Sequence, residues 1–433
     1  MLPKLTLAAT VLLAAVLSIQ AEQKIVCYYD SRSFSRDAQG KMQVSDLDPA
    51  LSFCTHLVYG YAGINKDTHK LIPLNEAFDV TKNNYQAITE LKRRFPGLRV
   101  LLSVGGGVDD QDSDKYMTLV EAAETRIAFV NSAHTLLKAY GFDGLDLAWQ
   151  FPTVRPKKIR GTFGSLWHGF KKKIGAGKGP IDEKETEHKE QFTALVRELK
   201  NVFRHDGLLL SMSVLPNVNS TIYYDTRSLV QHLDWVNLMS YDYQTPARNP
   251  KEVDYPAPLY ELIDRHPDNN VDHQVRHWLE TGAQGSKLIV GIPTFGRAWK
   301  MTGDSAISGV PPFPTEEAAP EGPYTKHAGL LSYPEVCTKM TSPLTAKGAE
   351  KRLRKVGDPS KRYGTYAFRL PDDDGEHGVW IGYEDPDTAG NKASYVKAKG
   401  LGGISINDLS LDDFRGLCTG DKYPILRAAK FRL

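Results

Sequence analysis

The 433-residue chain is 24% charged and 41% hydrophobic, which is typical of a globular protein and excludes a disordered or fibrous one. Its 54 Lys and Arg residues against 52 Asp and Glu residues leave a net charge of +2. That charge is too small for a protein that binds nucleic acid through a broadly basic surface.

The N-terminal residues 1–21 predict a secretory signal peptide rather than part of the fold. Lys4 supplies a positive charge, residues 5–19 carry none, and Ala21 is a small residue ahead of a polar pair. No later stretch approaches the ~18 consecutive apolar residues that predict a membrane-spanning helix. We therefore expect a secreted protein without a transmembrane segment.

Short, nearly continuous apolar runs recur along the rest of the chain and are typical of parallel strands covered by helices. They occupy residues 25–29, 56–61, 100–104, 144–149, 208–214, 235–239, 288–292 and 403–406. Helical patterns lie between them, at 83–95, at 121–140 and after Asp182, an N-cap with Glu185 three residues later. Eight strands alternating with helices predict an α/β fold, a (β/α)8 TIM barrel.

Two segments do not fit this alternation. Residues 299–380 predict a small α+β domain inserted between strand 7 and the following helix, leaving 22–298 and 381–433 for the barrel. Residues 153–189 form a long loop after strand 4, and its part 153–178 has eight basic side chains and no acidic one. This basic stretch predicts either a patch for a sulfated glycan, an anionic lipid or an acidic receptor, or a solvated rim around an apolar stripe docked on the barrel.

Four cysteines in an exported chain predict two disulfides, with three pairings open. They are Cys27, Cys54, Cys337 and Cys418. None forms a CxxC motif, and His273 and His277 lack an evident third ligand, so we expect no metal and no cofactor. Asn219 begins an Asn-Ser-Thr sequon and is a candidate glycosylation site.

The predicted fourth strand has an unusual ending. The run FDGLDLAWQFP, residues 142–152, carries two carboxylates, at Asp143 and Asp146. Period-2 alternation places Asp146, Ala148 and Gln150 on one face, directed into the mouth of the barrel where TIM-barrel active sites lie.

This run resembles the fourth-strand signature of family-eighteen chitinases, DGxDxDWEYP. The resemblance extends to residues 24–29, 53–59, 103–106, 239–242, 291–297 and 330–333, and covers essentially all of 24–420. In those chitinases the final Glu is the general acid, and the Asp two residues earlier holds the substrate N-acetyl group that attacks the anomeric carbon. The resemblance therefore implies a chitinase fold.

Departures from the signature predict that the site is inactive, with no catalytic residue. Gln150 stands at the acid position and Ala148 at the N-acetyl-orienting position, so neither proton transfer nor orientation is available. Gly107 and Asn407 stand where chitinases have aromatic rings that support the sugar. The degenerate site comprises Asp143, Asp146, Ala148, Gln150, Tyr241, Asp242 and Asn407, and its polar members are alternatively a hydrogen-bonded core network. Candidate glycan contacts are Trp149, Tyr241 and Trp299.

The same features, with the C-terminal run LSLDDFRGLC at 409–418, resemble the imaginal disc growth factor group of insect chitinase-like proteins. The resemblance implies a hemolymph growth factor that acts with insulin, through an unknown cell-surface receptor, to promote cell proliferation and motility. It also implies the disulfides Cys27–Cys54 and Cys337–Cys418. The alternative is an extracellular lectin that binds chitooligosaccharide or another glycan without hydrolysis.

Overall fold

A computed structural model describes residues 23–112, 114–156, 181–302, 305, 308–341, 352–371 and 377–433. The predicted signal peptide and most of the basic stretch lie outside these residues. Among the helices of the described ranges, none has the length and apolar character needed to span a membrane.

Eight parallel strands close into a barrel, which confirms the predicted TIM-barrel fold. Strand 1 pairs with strand 8, Lys24 opposite Gly403, and with strand 2, Val26 opposite His56. Strands 1 to 8 are Lys24–Asp30, His56–Ile64, Arg99–Gly105, Gly144–Ala148, Leu209–Val214, Trp235–Leu238, Leu288–Pro293 and Gly403–Asn407. Nearly all their residues are buried, because side chains directed inward fill the barrel and those directed outward are covered by helices.

Helices pack around the barrel between the strands. The longest, Glu185–Phe203, buries Phe192, Leu195 and Leu199 along one face, as its 3.6-residue period predicts. The helix predicted at 121–140 is present as Ala123–Tyr140. A separate helix, Lys115–Glu121, precedes it, and the extended backbone of Ala122 divides the two. Within the described residues, the helices are Asp48–Leu51, Asn84–Glu90, Lys115–Glu121, Ala123–Tyr140, Glu185–Phe203, Ser220–Tyr223, Thr226–His232, Val271–Glu280, Tyr333–Thr341, Pro386–Ala398 and Pro424–Arg432.

The insert after strand 7 contains a five-stranded antiparallel sheet. Its strands lie in the order Leu330–Ser332, Phe295–Met301, Gly378–Tyr383, Thr365–Arg369 and Arg354–Val356. The sheet therefore begins a few residues before the predicted boundary of 299 and ends a few after 380. Its own apolar core consists of Val253, Trp299, Met301, Phe313, Tyr366, Phe368 and Trp380.

Two disulfides are present in the implied pairing. Cys27 in strand 1 is bonded to Cys54, just before strand 2. Cys337 in the helix of the insert is bonded to Cys418 in the C-terminal region. Structural disulfides are typical of proteins made for oxidising compartments.

Candidate functional site

A buried polar network lies inside the barrel, centred on Asp146 of strand 4. Asp146 is fully buried, and its two carboxylate oxygens accept hydrogen bonds from groups on strands 1, 3, 5 and 6. The donors are the hydroxyls of Tyr28 (3.1 Å), Ser103 (2.8 Å), Ser211 (2.7 Å) and Ser213 (2.9 Å), with the Asn237 amide at 3.3 Å. Burial raises the pKa of Asp146, while the bonds from Ser211 and Ser103 act in the opposite direction.

Strand register explains why these groups meet. Asp146 lies level with Ser103 on strand 3 and Ser211 on strand 5, and Ser213 lies level with Asn237 on strand 6. Side chains directed inward from neighbouring strands form layers across a TIM barrel, and here one layer is polar. Because its donors surround Asp146, this carboxylate is part of a satisfied core network rather than a group free to react.

Asp143 does not join this network and lies at the opposite end of strand 4 from Gln150. Its carboxylate accepts from the Val100 N–H at 2.7 Å and contacts the Lys92 ammonium at 3.1 Å. The inclusion of Asp143 in the degenerate site is therefore wrong. It precedes the strand, so it reaches the N-terminal end of the barrel, whereas the active sites of this fold lie at the C-terminal end.

Gln150 lies beyond the C-terminal end of strand 4, with its side chain turned onto the loop that follows strand 3. Its Oε1 accepts from the N–H groups of Gly107 (2.9 Å) and Asp109 (3.2 Å). Its Nε2 donates to the Asp109 carbonyl at 2.9 Å. Ala148 is fully buried beneath, and its carbonyl accepts from the Gly106 N–H at 2.9 Å. Neither residue presents an acidic proton.

Trp149 is fully buried between the barrel strands and the surrounding helices, so its assignment as a glycan contact is wrong. The ring packs edge-to-face on Tyr116 and Phe129, with centroids 5.0 and 5.8 Å apart. The alternation that directs Ala148 and Gln150 one way directs Trp149 the other, toward the helices.

Trp299 is also fully buried and does not reach the barrel mouth as a glycan contact. Its ring packs edge-to-face on Trp380 at 5.7 Å, within the core of the insert. Its Nε1 donates to the Asn249 carbonyl at 2.9 Å. Both faces of the ring are enclosed by protein, so a sugar has no access to them.

Tyr241 and Asp242 follow strand 6 and face the insert. Arg297, on the first strand of the inserted sheet, donates to both Asp242 oxygens at 2.7 and 2.6 Å. Tyr241 is buried edge-on against Phe295 at 5.7 Å, and burial raises its pKa. Arg297 was absent from the predicted site, although it closes the segment 291–297 that carries part of the family resemblance. The pair joins the insert to the mouth of the barrel.

Asn407 ends strand 8 and is buried. Its Nδ2 donates to the Ser405 carbonyl at 3.3 Å and to the Ser405 hydroxyl at 3.1 Å, so the amide is bound to its own strand. At this position a sugar would meet a small, engaged amide in place of an aromatic face.

An open cleft of about 740 Å³ lies over strands 1 to 3, lined by the loops that follow them. On one side the Phe34 and Phe78 rings pack with centroids 4.4 Å apart, and the Lys41 ammonium lies 4.5 Å from the Phe34 ring. Tyr61, Val108 and Asp109 also line it. The sequence prediction missed Phe34 and Phe78, since they lie in the short helical turns Ser31–Ser35 and Ala77–Thr81, outside every predicted element.

A smaller pocket of about 280 Å³ lies over strands 5 and 6. The candidate glycosylation site Asn219 lines it and caps the helix Ser220–Tyr223, with Oδ1 accepting from the Thr221 N–H at 3.0 Å. His273 and His277 line the same pocket. Among the described residues, the side chains grouped closely enough to bind a metal are Cys337, Cys418 and Asp413, but both sulfurs are held in a disulfide.

The closed barrel, the insert after strand 7 and the site at the strand ends define the class of protein. Residues 24–412 match the family described as "Glycosyl hydrolases family 18", and the chain belongs to that family. The chain is 56% identical to "Chitinase-like protein Idgf4" of Glossina morsitans morsitans, over 96% of this chain and 95% of that one. It is 51% identical to "Imaginal disk growth factor 6" of Drosophila melanogaster, over 95% and 94%.

Within the family, the sequence therefore groups with the chitinase-like proteins of the imaginal disc growth factor type. Among solved structures, human YKL-39 superimposes with a TM-score of 0.75 at 26% identity, covering 95% of this chain and 99% of that one. YKL-39 is described as a pseudo-chitinase with retained chitooligosaccharide binding properties.

Proposed function

We propose that this chain is a secreted, non-enzymatic chitinase-like growth factor that promotes insect cell proliferation and motility in cooperation with insulin. The observation that carries the non-enzymatic part is the engagement of Gln150, whose amide is bound on both sides to the loop after strand 3. The relatives named as imaginal disc growth factors support the growth-factor part.

Chemistry supports the loss of hydrolysis. A glycosidase of this family needs a proton donor to the leaving oxygen and a group that holds the substrate N-acetyl, and general acid catalysis alone supplies roughly 10²–10⁴ in rate. Gln150 and Ala148 provide neither. The carboxylates of Asp146 and Asp242 are engaged, the first by hydroxyls and the second by Arg297. Neither is placed to replace the missing acid.

Secretion into the hemolymph is supported by the composition of residues 1–21 and by two disulfides. The sequon at Asn219 is a further feature of exported chains. An unknown cell-surface receptor completes the proposal, since a protein of this kind acts from outside the cell.

The test has a chemical and a cellular arm. Purified protein is incubated with chitotetraose beside an active family-eighteen chitinase, and new reducing ends are counted. The same preparation is added to insect imaginal-disc cells with and without insulin, and cell number and migration are recorded. We expect no hydrolysis and growth that exceeds the sum of the separate treatments. Hydrolysis near that of the active enzyme, or no cellular response, would refute the proposal.

A second candidate function is an extracellular lectin that binds chitooligosaccharide without cleaving it. The open 740 Å³ cleft with its paired Phe34 and Phe78 rings favours it, since aromatic faces bind sugars by stacking. Titration calorimetry with N-acetylglucosamine oligomers tests it. The lectin hypothesis expects binding that Phe34→Ala weakens and that Phe431→Ala, on an exposed ring of the C-terminal helix, leaves unchanged. No heat of binding would exclude it.

A further inference from the structure

The loop after strand 3 takes a path that its own sequence strongly constrains. Gly105, Gly106 and Gly107 all have positive φ, at 95°, 70° and 76°. A Cβ on Gly105 would lie 2.4 Å from the Ala148 carbonyl oxygen, and one on Gly106 would lie 2.2 Å from the Tyr61 ring. These glycines allow the loop to pass close to strand 4 and to turn toward Gln150.

A second anchor fixes the far end of this loop. The buried Asp109 carboxylate accepts from the Ile64 N–H at 2.9 Å and the Tyr116 hydroxyl at 2.8 Å. It is also paired with the Lys115 ammonium at 2.5 Å. The side chain of Asp109 is thereby held by strand 2 and by the helix after the loop, while its backbone is held by Gln150.

Gln150 hydrogen-bonds to the loop backbone between these anchors through both the oxygen and the nitrogen of its side-chain amide. Its oxygen accepts from Gly107 and Asp109, and its nitrogen donates to the carbonyl of Asp109. Only a side chain with an acceptor and a donor at the same tip can make this set of bonds. Val108 and Asp109 line the 740 Å³ cleft, so the part of the loop that Gln150 holds is a wall of that cleft.

We propose that Gln150 is a positioning residue that clamps residues 105–109 and so preforms one wall of the cleft. The clamp goes beyond the proposed function, because it concerns the shape of the cleft and does not depend on which ligand or receptor binds there. It assigns the amide a positive role, in addition to the lack of an acidic proton.

The chemistry of a glutamate at this position makes the clamp testable through the variant Gln150→Glu. When the introduced carboxyl is ionised, it has no donor and directs its second oxygen at the Asp109 carbonyl. When it is protonated, it offers a carbonyl acceptor and one O–H donor, which restores the full set of bonds. The ionisable groups around the clamp are Asp109, with Lys115 and Tyr116 bound to it, and Tyr61 against Gly106.

Hydrogen exchange read by mass spectrometry on peptides covering 105–112 tests the proposal, at pH 7.5 and pH 4.5 after correction for intrinsic rates. The wild-type protein is compared with Gln150→Glu, Gln150→Ala and the matched control Gln111→Glu, which makes the same change at an exposed residue of the same loop. We expect Gln150→Ala to exchange roughly 10-fold faster at both pH values, as for the loss of one to two hydrogen bonds.

Gln150→Glu should exchange faster at pH 7.5 and regain part of the lost protection at pH 4.5, where a carboxyl with the ordinary glutamate pKa of ~4.3 is partly protonated. Gln111→Glu should match the wild type throughout. Recovery within one variant distinguishes the clamp from misfolding, and no ligand is involved, so failure of the proposed function leaves this result unaffected. Wild-type protection in Gln150→Ala, or no difference between the two pH values in Gln150→Glu, would overturn the proposal.

Discussion

Replacing Asp146 by alanine tests whether the polar centre of the barrel stabilises the fold. The carboxylate is the hydrogen-bond acceptor for Ser103 and Ser211, whereas Tyr28 and Ser213 also bond to each other at 2.7 Å. Asp146→Ala therefore leaves two buried hydroxyls without an acceptor, while the other two retain a partner.

The magnitude follows from that count. Each buried polar group left without a partner costs about 1–3 kcal/mol, so Asp146→Ala should lower the free energy of unfolding by about 2–6 kcal/mol. With an unfolding entropy of ~2.1 cal/mol/K per residue, a chain of this size loses roughly 1 °C of Tm per kcal/mol. The expected loss is therefore about 2–6 °C. Asp146→Asn keeps one acceptor oxygen and should lose less than half of that.

Differential scanning calorimetry measures these shifts, with Asp110→Ala as the control because Asp110 is an exposed aspartate. Burial raises the pKa of Asp146 above that of an aspartate in the unfolded chain. The wild type should therefore lose stability relative to Asp146→Asn as the pH rises from about 4 through the folded-state pKa. A Tm for Asp146→Ala within about 1 °C of the control would refute this reasoning.

Three further predictions concern other parts of the molecule. Thiol titration of the denatured, unreduced protein should find no free cysteine, and two free thiols per chain would contradict the pairing. The closed loops of 27 and 81 residues predict about 3.5 and 4.5 kcal/mol of stabilisation from the two disulfides. Arg297→Met should cost about 3–5 kcal/mol in chemical denaturation, since it leaves the Asp242 carboxylate without its bidentate partner; a cost equal to that of an exposed Arg would argue against it. The double variant Ala148→Asp, Gln150→Glu should hydrolyse chitotetraose at trace rates at most, because Asn407 still stands where chitinases have an aromatic ring that supports the sugar. Turnover near that of an active chitinase would show that the cleft still fits chitin.

The barrel could be predicted because parallel strands buried on both faces have a simple sequence pattern. The apolar run at 208–214 predicted a strand that the structure has as Leu209–Val214, and the run at 403–406 one that it has as Gly403–Asn407. The helix Lys115–Glu121 was not predicted, and only the extended backbone of Ala122 divides it from the helix that was predicted at 121–140. The edges of the insert were missed by a few residues because the strand Phe295–Met301 follows barrel strand 7 almost directly.

The candidate site was predicted less completely, because position along a strand does not determine what a side chain contacts. Trp149 and Trp299 have the right chemistry for a sugar, but one faces the helices and the other the core of the insert. Asp143 precedes its strand by one residue and so reaches the wrong end of the barrel. The bonds of Gln150 depend on the path of a glycine-rich loop from another strand, which no local pattern in the sequence encodes.

Catalysis and folding are separable in this barrel because they depend on different layers of strand 4. Asp146 lies in a sealed layer whose bonds cross four other strands, so its loss would affect the fold. Ala148 is fully buried, and its backbone carbonyl accepts from the Gly106 N–H of the loop after strand 3. Gln150 lies beyond the strand, where its amide holds a loop rather than the barrel. In the non-enzymatic protein that we propose, Ala148 and Gln150 therefore remove the catalytic groups of a chitinase, while the Asp146 network that supports the barrel is retained.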